Sequence, residues 1–179
     1  MEVDLSSYNN AWYKPGNRLK LLLWYFTNVL FFINPLNPSS KIKVILLKCF
    51  GAKLGDGVVI KPGVNIKYPW FLSVGNHCWI GENVWIDNLT QVTIEDHVCI
   101  SQNALLLCGN HNYKCPEFNL ILGKITLKKG AWVGAKAVVC PGVTLNSHAV
   151  LTVGSVATKD LDANMIYQGN PAIKIRSRN

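Results

Sequence analysis

Residues 127–151 read LKKGAWVGAKAVVCPGVTLNSHAVL, and an aliphatic side chain returns at every sixth position of this stretch. These aliphatic positions are Leu127, Val133, Val139, Leu145 and Leu151. A period of six is typical of a parallel β-helix, in which three short strands separated by tight corners make one triangular coil. We expect the aliphatic side chains to point inward and the coils to stack about 4.8 Å apart, the spacing of paired strands.

The same period runs through the chain from residue 54 onward. The earlier series are Leu54, Ile60 and Ile66, then Val74, Ile80 and Ile86, then Ile94, Ile100 and Leu106. A small or β-branched residue follows four positions after most of them, at Val58, Val64, Cys78, Val84, Val98, Ala104, Ala131, Ala137, Val143, Ala149 and Ser155. Both sets are predicted to fill the interior. A sandwich of short strands would not hold this phase for so long, so the sequence predicts a mainly β, parallel β-helix fold.

Three interruptions of the repeat locate the candidate site. Eight positions separate Ile66 from Val74 and Ile86 from Ile94, and 21 separate Leu106 from Leu127. Each interruption follows the third strand of a coil, so all three are expected to lie above one another at one corner. Long loops on a rigid scaffold are usually functional, and the loop 107–124 is therefore predicted to carry the active site.

The residues of this corner suggest proton transfer and sugar binding. His111 lies in the long loop beside Tyr113, and an imidazole with a pKa near 6.5 can serve as a general base. One coil earlier, Asp87 and Asn88 offer a carboxylate and an amide that could bind the hydroxyls of an acceptor. Cys108 is the nearby thiol, and we interpret it as structural.

The other histidines allow a rival interpretation. His77, His97 and His148 each follow an inward aliphatic residue by three positions, so they share a different corner. Three converging histidines would suit a zinc carbonic anhydrase. Gly130 falls between His97 and His148 in this column, so we expect exposed corner histidines and no metal.

Composition and missing motifs argue against several other classes of protein. Charged residues are 16 % and hydrophobic residues 49 %, which argues against disorder and against a coiled coil. A net charge of +8 suits an anionic partner, but no aromatic-basic ladder indicates nucleic acid. Phosphate-loop, dinucleotide-binding and serine-nucleophile motifs are absent. The six cysteines form no C-x-x-C pair and no secretory signal opens the chain, so a cytoplasmic location is predicted.

The first 50 residues are predicted to form one or two helices. Asn17 would cap a helix that Asn34-Pro35 stops, and a second would run from Ser39 or Ser40 to Phe50. The favoured interpretation is that they pack on the main domain. The alternative is peripheral contact with the inner face of a membrane. It would use the aromatic residues Trp24, Tyr25, Phe26, Phe31 and Phe32 with the basic Lys14, Arg18 and Lys20.

The chain resembles the hexapeptide-repeat acyltransferases, and within them the polysaccharide O-acetyltransferases of the colanic-acid type. The matching stretches are FGAKLGDGVVIKPGVNIKYPW (50–70), WIGENVWIDNL (79–89), CGNHNYKCPEF (108–118), GAWVGAKAVVCPGVTL (130–145), and VGSVATKDL with GNPA (153–161, 169–172). The resemblance covers nearly the whole chain. It implies a left-handed β-helix, although the crossover rule alone would predict the opposite hand.

The resemblance also implies a homotrimer that holds acetyl-CoA between neighbouring subunits, with His111 as general base. The positions that match family contacts to CoA are Trp132, Gly134, Ala135, Val153, Thr158, Lys159 and Arg176. Asp87, Asn88 and Tyr113 are the predicted acceptor-binding residues. Several positions depart from the family pattern. Asn110 and Asn112 replace the serine and aspartate that more often flank the histidine, and Ile173 replaces a tail arginine. Asp87 stands where the galactoside-type enzymes have an acceptor-binding asparagine, whereas Asn88 matches the polysaccharide subgroup.

The predicted organisation is a helical arm over residues 1–50, the β-helix over 51–158 with its loop 107–124, and a tail over 159–179. The predicted function is acetyl-CoA-dependent O-acetylation of a hydroxyl on a sugar, or on a polysaccharide or glycolipid precursor. Two alternatives stay open at this point. One is an N-acyltransferase acting on an amino-sugar nucleotide, and the other is a non-catalytic β-helix that binds a partner.

Overall fold

The six-residue repeat winds into a parallel β-solenoid in a computed structural model of the protein, which describes residues 2–178. Each repeat contributes one short strand. The strands before the long loop are β1 (Lys53–Leu54), β2 (Val59–Ile60), β3 (Asn65–Ile66), β4 (Leu72–Val74), β5 (Trp79–Ile80), β6 (Trp85–Asp87), β7 (Val92–Ile94), β8 (Cys99–Ile100) and β9 (Leu105–Leu107). Two strands lie in the loop itself, β10 (Gly109–His111) and β11 (Leu120–Leu122).

Eight more strands complete the chain. They are β12 (Ile125–Leu127), β13 (Trp132–Val133), β14 (Val138–Val139), β15 (Thr144–Leu145), β16 (Val150–Leu151), β17 (Val156–Ala157), β18 (Met165–Gly169) and β19 (Ala172–Ser177). The solenoid has three faces. The first face has the order β1-β4-β7-β12-β15, the second β2-β5-β8-β13-β16-β18-β19, and the third β3-β6-β9-β14-β17. Pairing within the faces is parallel except between β18 and β19.

The aliphatic positions stack in register along the interior. Ile66 pairs with Ile86 and Ile86 with Leu106, which pairs with Val139 in the next coil. All four side chains have no exposed area. The small residues four positions later are buried as well, Ala137 and Ala149 among them. The predicted parallel β-helix and its inward-facing residues are therefore confirmed.

The interruptions of the repeat meet where the third face turns into the first. We call this the loop edge; it comprises residues 67–71, 87–91, 107–124, 140–143 and 158–160. Asp87 pairs with Leu107 of the following coil, and the Gly123 N–H donates to the carbonyl of Cys108 where the loop rejoins the solenoid. The prediction that the interruptions lie above one another is confirmed.

The two predicted helices are present and pack on the first coil. Helix α1 (Arg18–Asn28) begins after Asn17, whose side chain accepts from the Leu19 N–H, and continues as a π-helical turn over Val29–Ile33. Helix α2 (Ser40–Cys49) begins after Ser39. The Trp24 indole donates to the carbonyl of Ile66 at 2.8 Å. Trp24 and Phe32 are buried against the solenoid, which confirms packing and shows that these two aromatic rings do not belong to an exposed anchor.

The residues before α1 follow the loop edge. The Trp70 indole donates to the Pro15 carbonyl at 2.7 Å, and the Tyr13 hydroxyl donates to the Leu89 carbonyl at 2.5 Å. Further along, the Asp4 N–H donates to the Pro116 carbonyl in the long loop. Single 3₁₀ turns lie at Leu5–Ser7 and Pro69–Phe71. Within residues 2–178, neither helix nor any shorter turn is long and apolar enough to cross a membrane.

Two segments are more ordered than the repeat pattern indicates. The long loop forms an antiparallel hairpin, with His111 opposite Leu120. In the segment expected to be a tail, β18 adds a parallel strand to the second face and β19 folds back antiparallel on it. The six-residue signal ends near Leu151, so the period itself gave no indication of this hairpin.

The inward and outward positions of β9 give a direct stability test. Leu106→Ala removes a fully buried side chain, and we expect it to lower the free energy of unfolding by about 2–5 kcal/mol. The neighbouring Leu105→Ala changes a partly exposed side chain on the outer surface, with an expected loss below about 1 kcal/mol. Urea unfolding at one protein concentration measures both, and equal losses would contradict the assigned orientation of the strand.

Candidate active site

His111 lies in β10 at the loop edge, and a backbone carbonyl orients its ring. The imidazole Nδ1 lies 2.8 Å from the carbonyl oxygen of Phe118. A carbonyl oxygen only accepts hydrogen bonds, so Nδ1 carries the proton of the neutral ring. The lone pair is then on Nε2, which is the tautomer that can take a proton from a substrate.

Aromatic packing holds the ring in this position. The Phe118 ring stacks on the imidazole with centroids 4.5 Å apart and an interplanar angle of 6°. On another side, the Tyr8 ring from the N-terminal arm lies 5.6 Å away. Phe118 has a φ of 49°, an unusual conformation for a bulky side chain, and strain of this kind clusters at functional sites. Phe118 thus fixes the ring through both its carbonyl and its side chain.

The asparagines that flank His111 serve the backbone of the hairpin. The Asn110 Oδ1 accepts from the His111 N–H at 2.8 Å, and the Asn112 Oδ1 accepts from the Lys114 N–H at 3.1 Å. The Asn112 N–H in turn donates to the Asn119 carbonyl across the hairpin. An aspartate at position 112 is therefore not needed to orient the imidazole in this chain.

The predicted acceptor-binding residues occupy three different environments. Asp87 is buried beneath the edge and pairs with Lys67, whose Nζ lies 2.9 Å from the carboxylate. Asn88 has no exposed area, and its amide both accepts from the N–H and donates to the carbonyl of Tyr68. In this geometry Asn88 holds the edge together. Tyr113 is largely exposed at the tip of the hairpin.

The candidate CoA residues are distributed over a second edge and the end of the solenoid. Gly134, Ala135 and Val153 lie where the second face turns into the third, which we call the second–third edge (61–64, 81–84, 101–104, 134–137, 152–155). Trp132 precedes this edge on β13, with its indole donating to the Ser101 hydroxyl at 2.9 Å.

Glycine at position 134 has a packing reason. A Cβ there would lie 2.6 Å from the backbone nitrogen of Val153, so a side chain would push neighbouring coils apart. The remaining candidates lie elsewhere. Thr158 and Lys159 follow β17 on the loop edge, and Arg176 is exposed on β19.

One chain therefore does not bring all its candidate residues to one place. The loop edge carries His111, Asp87 and Tyr113, whereas Gly134 and Val153 are on the next edge of the prism. The third face separates these two edges. Contact between the proposed base and the candidate CoA edge would need a second copy of the chain beside the first.

The histidine column lies on the edge between the first and second faces. The rings of His77 and His97 stack with centroids 5.4 Å apart. A Cβ on Gly130 would lie 2.3 Å from Nδ1 of His148, so Gly130 separates the lower pair from the third ring, as the spacing predicted. Among residues 2–178, no three histidine, cysteine or carboxylate side chains are grouped closely enough to hold a metal ion.

Some residues of the site could not be identified from the sequence pattern. Phe118 acts on His111 through a backbone atom seven residues away, which no side-chain pattern reveals. Tyr8 reaches the site from the far end of the chain. The pairing of Lys67 with Asp87 could have been predicted from the sequence. Lys67 directly follows Ile66 and Asp87 directly follows Ile86, and these two isoleucines pair between adjacent coils.

Comparison with known proteins gives a consistent group of relatives. No model of a protein family matches the chain. It is 35 % identical over 176 residues to a protein named colanic acid biosynthesis acetyltransferase WcaF from Escherichia coli strain K12, covering 98 % of this chain and 97 % of that protein. It is 30 % identical over 137 residues to galactoside O-acetyltransferase from the same organism, covering 75 % and 68 %. A solved structure of galactoside acetyltransferase in complex with coenzyme A superimposes with a TM-score of 0.79 and 25 % identity, covering 90 % and 82 %.

Cys108 is predicted to be chemically inert. Burial raises the pKa of its thiol to about 12, so at pH 8 roughly one molecule in ten thousand carries the reactive thiolate. Iodoacetamide at pH 8 should modify the exposed Cys49 and leave Cys108 unmodified, as measured by peptide mass spectrometry. Unfolding in urea should make both react. Labelling of Cys108 in the folded protein as fast as Cys49 would contradict its structural role.

Proposed function

Because this chain belongs to the hexapeptide-repeat acetyltransferases, we propose that it transfers the acetyl group of acetyl-CoA to a hydroxyl of a sugar, or of a polysaccharide or glycolipid precursor. The chain is a CoA-dependent acyltransferase, so the non-catalytic interpretation is set aside. Oxygen rather than nitrogen as the accepting atom is supported by the relative named galactoside O-acetyltransferase. The N-acyltransferase alternative becomes an outcome of the acceptor test.

The orientation of His111 is the observation that carries this proposal. With Nδ1 bonded to the Phe118 carbonyl, Nε2 is free to accept a proton. His111 removes the proton from the acceptor hydroxyl as that oxygen bonds to the acetyl carbon. The carbon–sulfur bond of the thioester breaks, and the imidazolium returns its proton to the departing thiolate. Acetyl-CoA supplies the acetyl group in an activated form, and His111 supplies only the proton transfers.

The charge and the shape of the solenoid support the binding of acetyl-CoA along the second–third edge. The coil at Gly134 and Ala135 offers a narrow edge with little side-chain bulk, bordered by Trp132, which suits a slender pantetheine arm. Lys159, on the loop edge, and Arg176, on β19, are exposed cations toward the C-terminal end of the solenoid. Both would meet CoA phosphate groups in an assembly that brings a loop edge beside a second–third edge. The net charge of +8 also favours a polyanionic substrate.

A homotrimer with shared sites would complete the active centre. Within one chain, the third face separates the loop edge from the second–third edge, so His111 and Gly134 belong to different edges. If the loop edge of one subunit packs beside the second–third edge of the next, each cleft between subunits contains both the proposed base and the candidate CoA-binding residues. Three such contacts close a ring, as heterologous interfaces do when their rotation closes.

The acceptor is proposed to enter from the loop edge. Asp87 and Lys67 form a polar pair at the base of this edge, and Tyr113 is exposed beside His111 along the hairpin. Asn88 would act indirectly, by holding Tyr68 in place. We place the reaction in the cytoplasm, where the six free thiols of the chain would stay reduced.

Removing the imidazole tests the proposed base. General-base catalysis is typically worth about 10²–10⁴-fold in rate, so His111→Ala should slow transfer by a factor in that range. Thiol release from acetyl-CoA, measured against matched panels of hydroxyl and amino sugars, gives the rate and the class of acceptor. His97→Asn, which alters a histidine on another edge, should keep full activity.

Calorimetric titration of CoA should show the same affinity for His111→Ala and the wild type. A fully active His111→Ala variant would reject the assignment. Transfer to amino sugars alone would favour the N-acyltransferase alternative.

The exposed cations Lys159 and Arg176 give a separate test of the proposed CoA-binding site. We expect Lys159→Ala combined with Arg176→Ala to weaken CoA binding about tenfold, equivalent to about 1.4 kcal/mol. The effect should shrink at high salt because it is electrostatic. Lys129→Ala, on the edge between the first and second faces, is the matched control and should change the dissociation constant less than twofold. Unchanged binding by the double variant would place the phosphates elsewhere.

A further inference from the structure

Helix α1 has an apolar surface that points away from the protein. Trp24 and Asn28, spaced by four, face the solenoid and are buried, as is Phe32 in the π-helical turn. The other side of the helix and its π-helical turn, which we call the outer face, is 40–64 % exposed. Its residues are Leu19, Leu22, Leu23, Phe26, Leu30 and Ile33.

This arrangement is unlike an ordinary surface helix. A helix that packs one side on a soluble domain normally has charged or polar residues on the opposite side. Here both sides are apolar, and Tyr25 and Phe31 extend the exposed surface further. A contiguous apolar surface of this kind marks a site of interaction with another molecule or with a membrane.

The charged residues of the segment that carries the outer face, residues 5–55, are all positive. The sequence contains no acidic residue between Asp4 and Asp56. Lys43 is buried and donates to the carbonyl of Asn37, so it contributes nothing to the surface. The other basic residues of this segment are Lys14, Arg18, Lys20, Lys41, Lys48 and Lys53. Helix α2 adds Ile42 and Ile45 beside two of these lysines on its own exposed side.

We propose that the outer face of α1 docks on an anionic lipid bilayer, with the helix lying in the plane of the interface. Apolar side chains flanked by lysine and arginine are the features of interfacial helices. From residue 18 to residue 33 the helix is about 24 Å long, which is too short to span the hydrocarbon core but enough to lie along its surface.

A second copy of the chain fits this surface less well. The cores of interfaces between protein subunits are depleted of charged residues, lysine in particular. Two such surfaces facing each other would also bring like charges together, because neither offers an acidic partner within residues 5–55. An anionic bilayer supplies both the apolar phase and the compensating charge.

Docking would bring the candidate active site to the membrane. The arm before α1 follows the loop edge through contacts at Trp70 and Leu89, and its Tyr8 touches His111. This geometry favours an acceptor sugar that is attached to a lipid, an inference that rests on the proposed function. The docking itself does not depend on catalysis, and its test requires no substrate.

Flotation with vesicles tests the proposal on the full-length protein. Vesicles of phosphatidylglycerol mixed with phosphatidylcholine are compared with vesicles of phosphatidylcholine alone. We expect the wild type to float with the anionic vesicles and at least tenfold less with the neutral ones. Leu22→Glu combined with Phe26→Glu should reduce anionic-vesicle binding at least tenfold. Lys129→Glu, at an exposed position on the edge between the first and second faces, changes the net charge by the same two units and should bind like the wild type.

Three further measurements separate the outcomes. Circular dichroism checks that each variant is folded, light scattering gives its mass, and CoA titration shows whether its substrate site is intact. A wild type that does not float, or an outer-face variant that floats equally well, would overturn the proposal. A change of mass in the outer-face variant without lipid binding by the wild type would instead identify this surface as an interface between copies. A wild type that floats with anionic vesicles but does not bind CoA would count against the proposed function and not against docking.

Discussion

The stacking of one aliphatic residue on the next in the column through Ile66, Ile86 and Leu106 determines where everything else in this protein can lie. Each coil must return its side chains to the same interior positions, and the hydrogen bonds between coils hold that register. Extra residues cannot be inserted within a face without breaking both the interior register and the hydrogen bonds between coils. They are tolerated only at the corners, and in this chain the interruptions of the repeat lie on one edge of the prism.

The loop edge shows how this constraint positions the proposed base. Its hairpin is long enough to fold back on itself, and the return strand brings Phe118 against His111. The orientation of the imidazole then depends on a backbone carbonyl and on ring packing rather than on a neighbouring carboxylate. Such a support tolerates a change at position 112, because the Asn112 Oδ1 accepts a hydrogen bond from the Lys114 N–H of the hairpin and plays no part in the hydrogen bond of the imidazole. The polar pair of Lys67 and Asp87 spans the two preceding coils of the same edge.

Much of this arrangement was predictable from the sequence, and the exceptions have physical causes. The six-residue repeat predicts the three faces, the inward-facing residues and the edge where the interruptions meet, because these features depend only on spacing. Asn17 and Ser39 marked the helix starts through their capping side chains. The role of Phe118 was hidden, since a backbone carbonyl leaves no trace in residue type. The burial of Asn88 and the strand pairing of β18 were missed because both depend on neighbours far along the chain. The left-handed sense came from the resemblance and not from the repeat.

We propose that the active centre has two halves on different edges of the prism, which assembly of the chains brings together. The base of one subunit then faces the CoA edge of another, and a crystal structure of the protein with bound CoA tests this arrangement directly. A general base lies about 2.6–3.2 Å from the oxygen it deprotonates, and reacting atoms lie about 3–3.5 Å apart. We therefore expect Nε2 of His111 within roughly 7 Å of the CoA sulfur, with His111 and the CoA edge contributed by neighbouring subunits. A CoA sulfur distant from every His111, or a site complete within one chain, would contradict it.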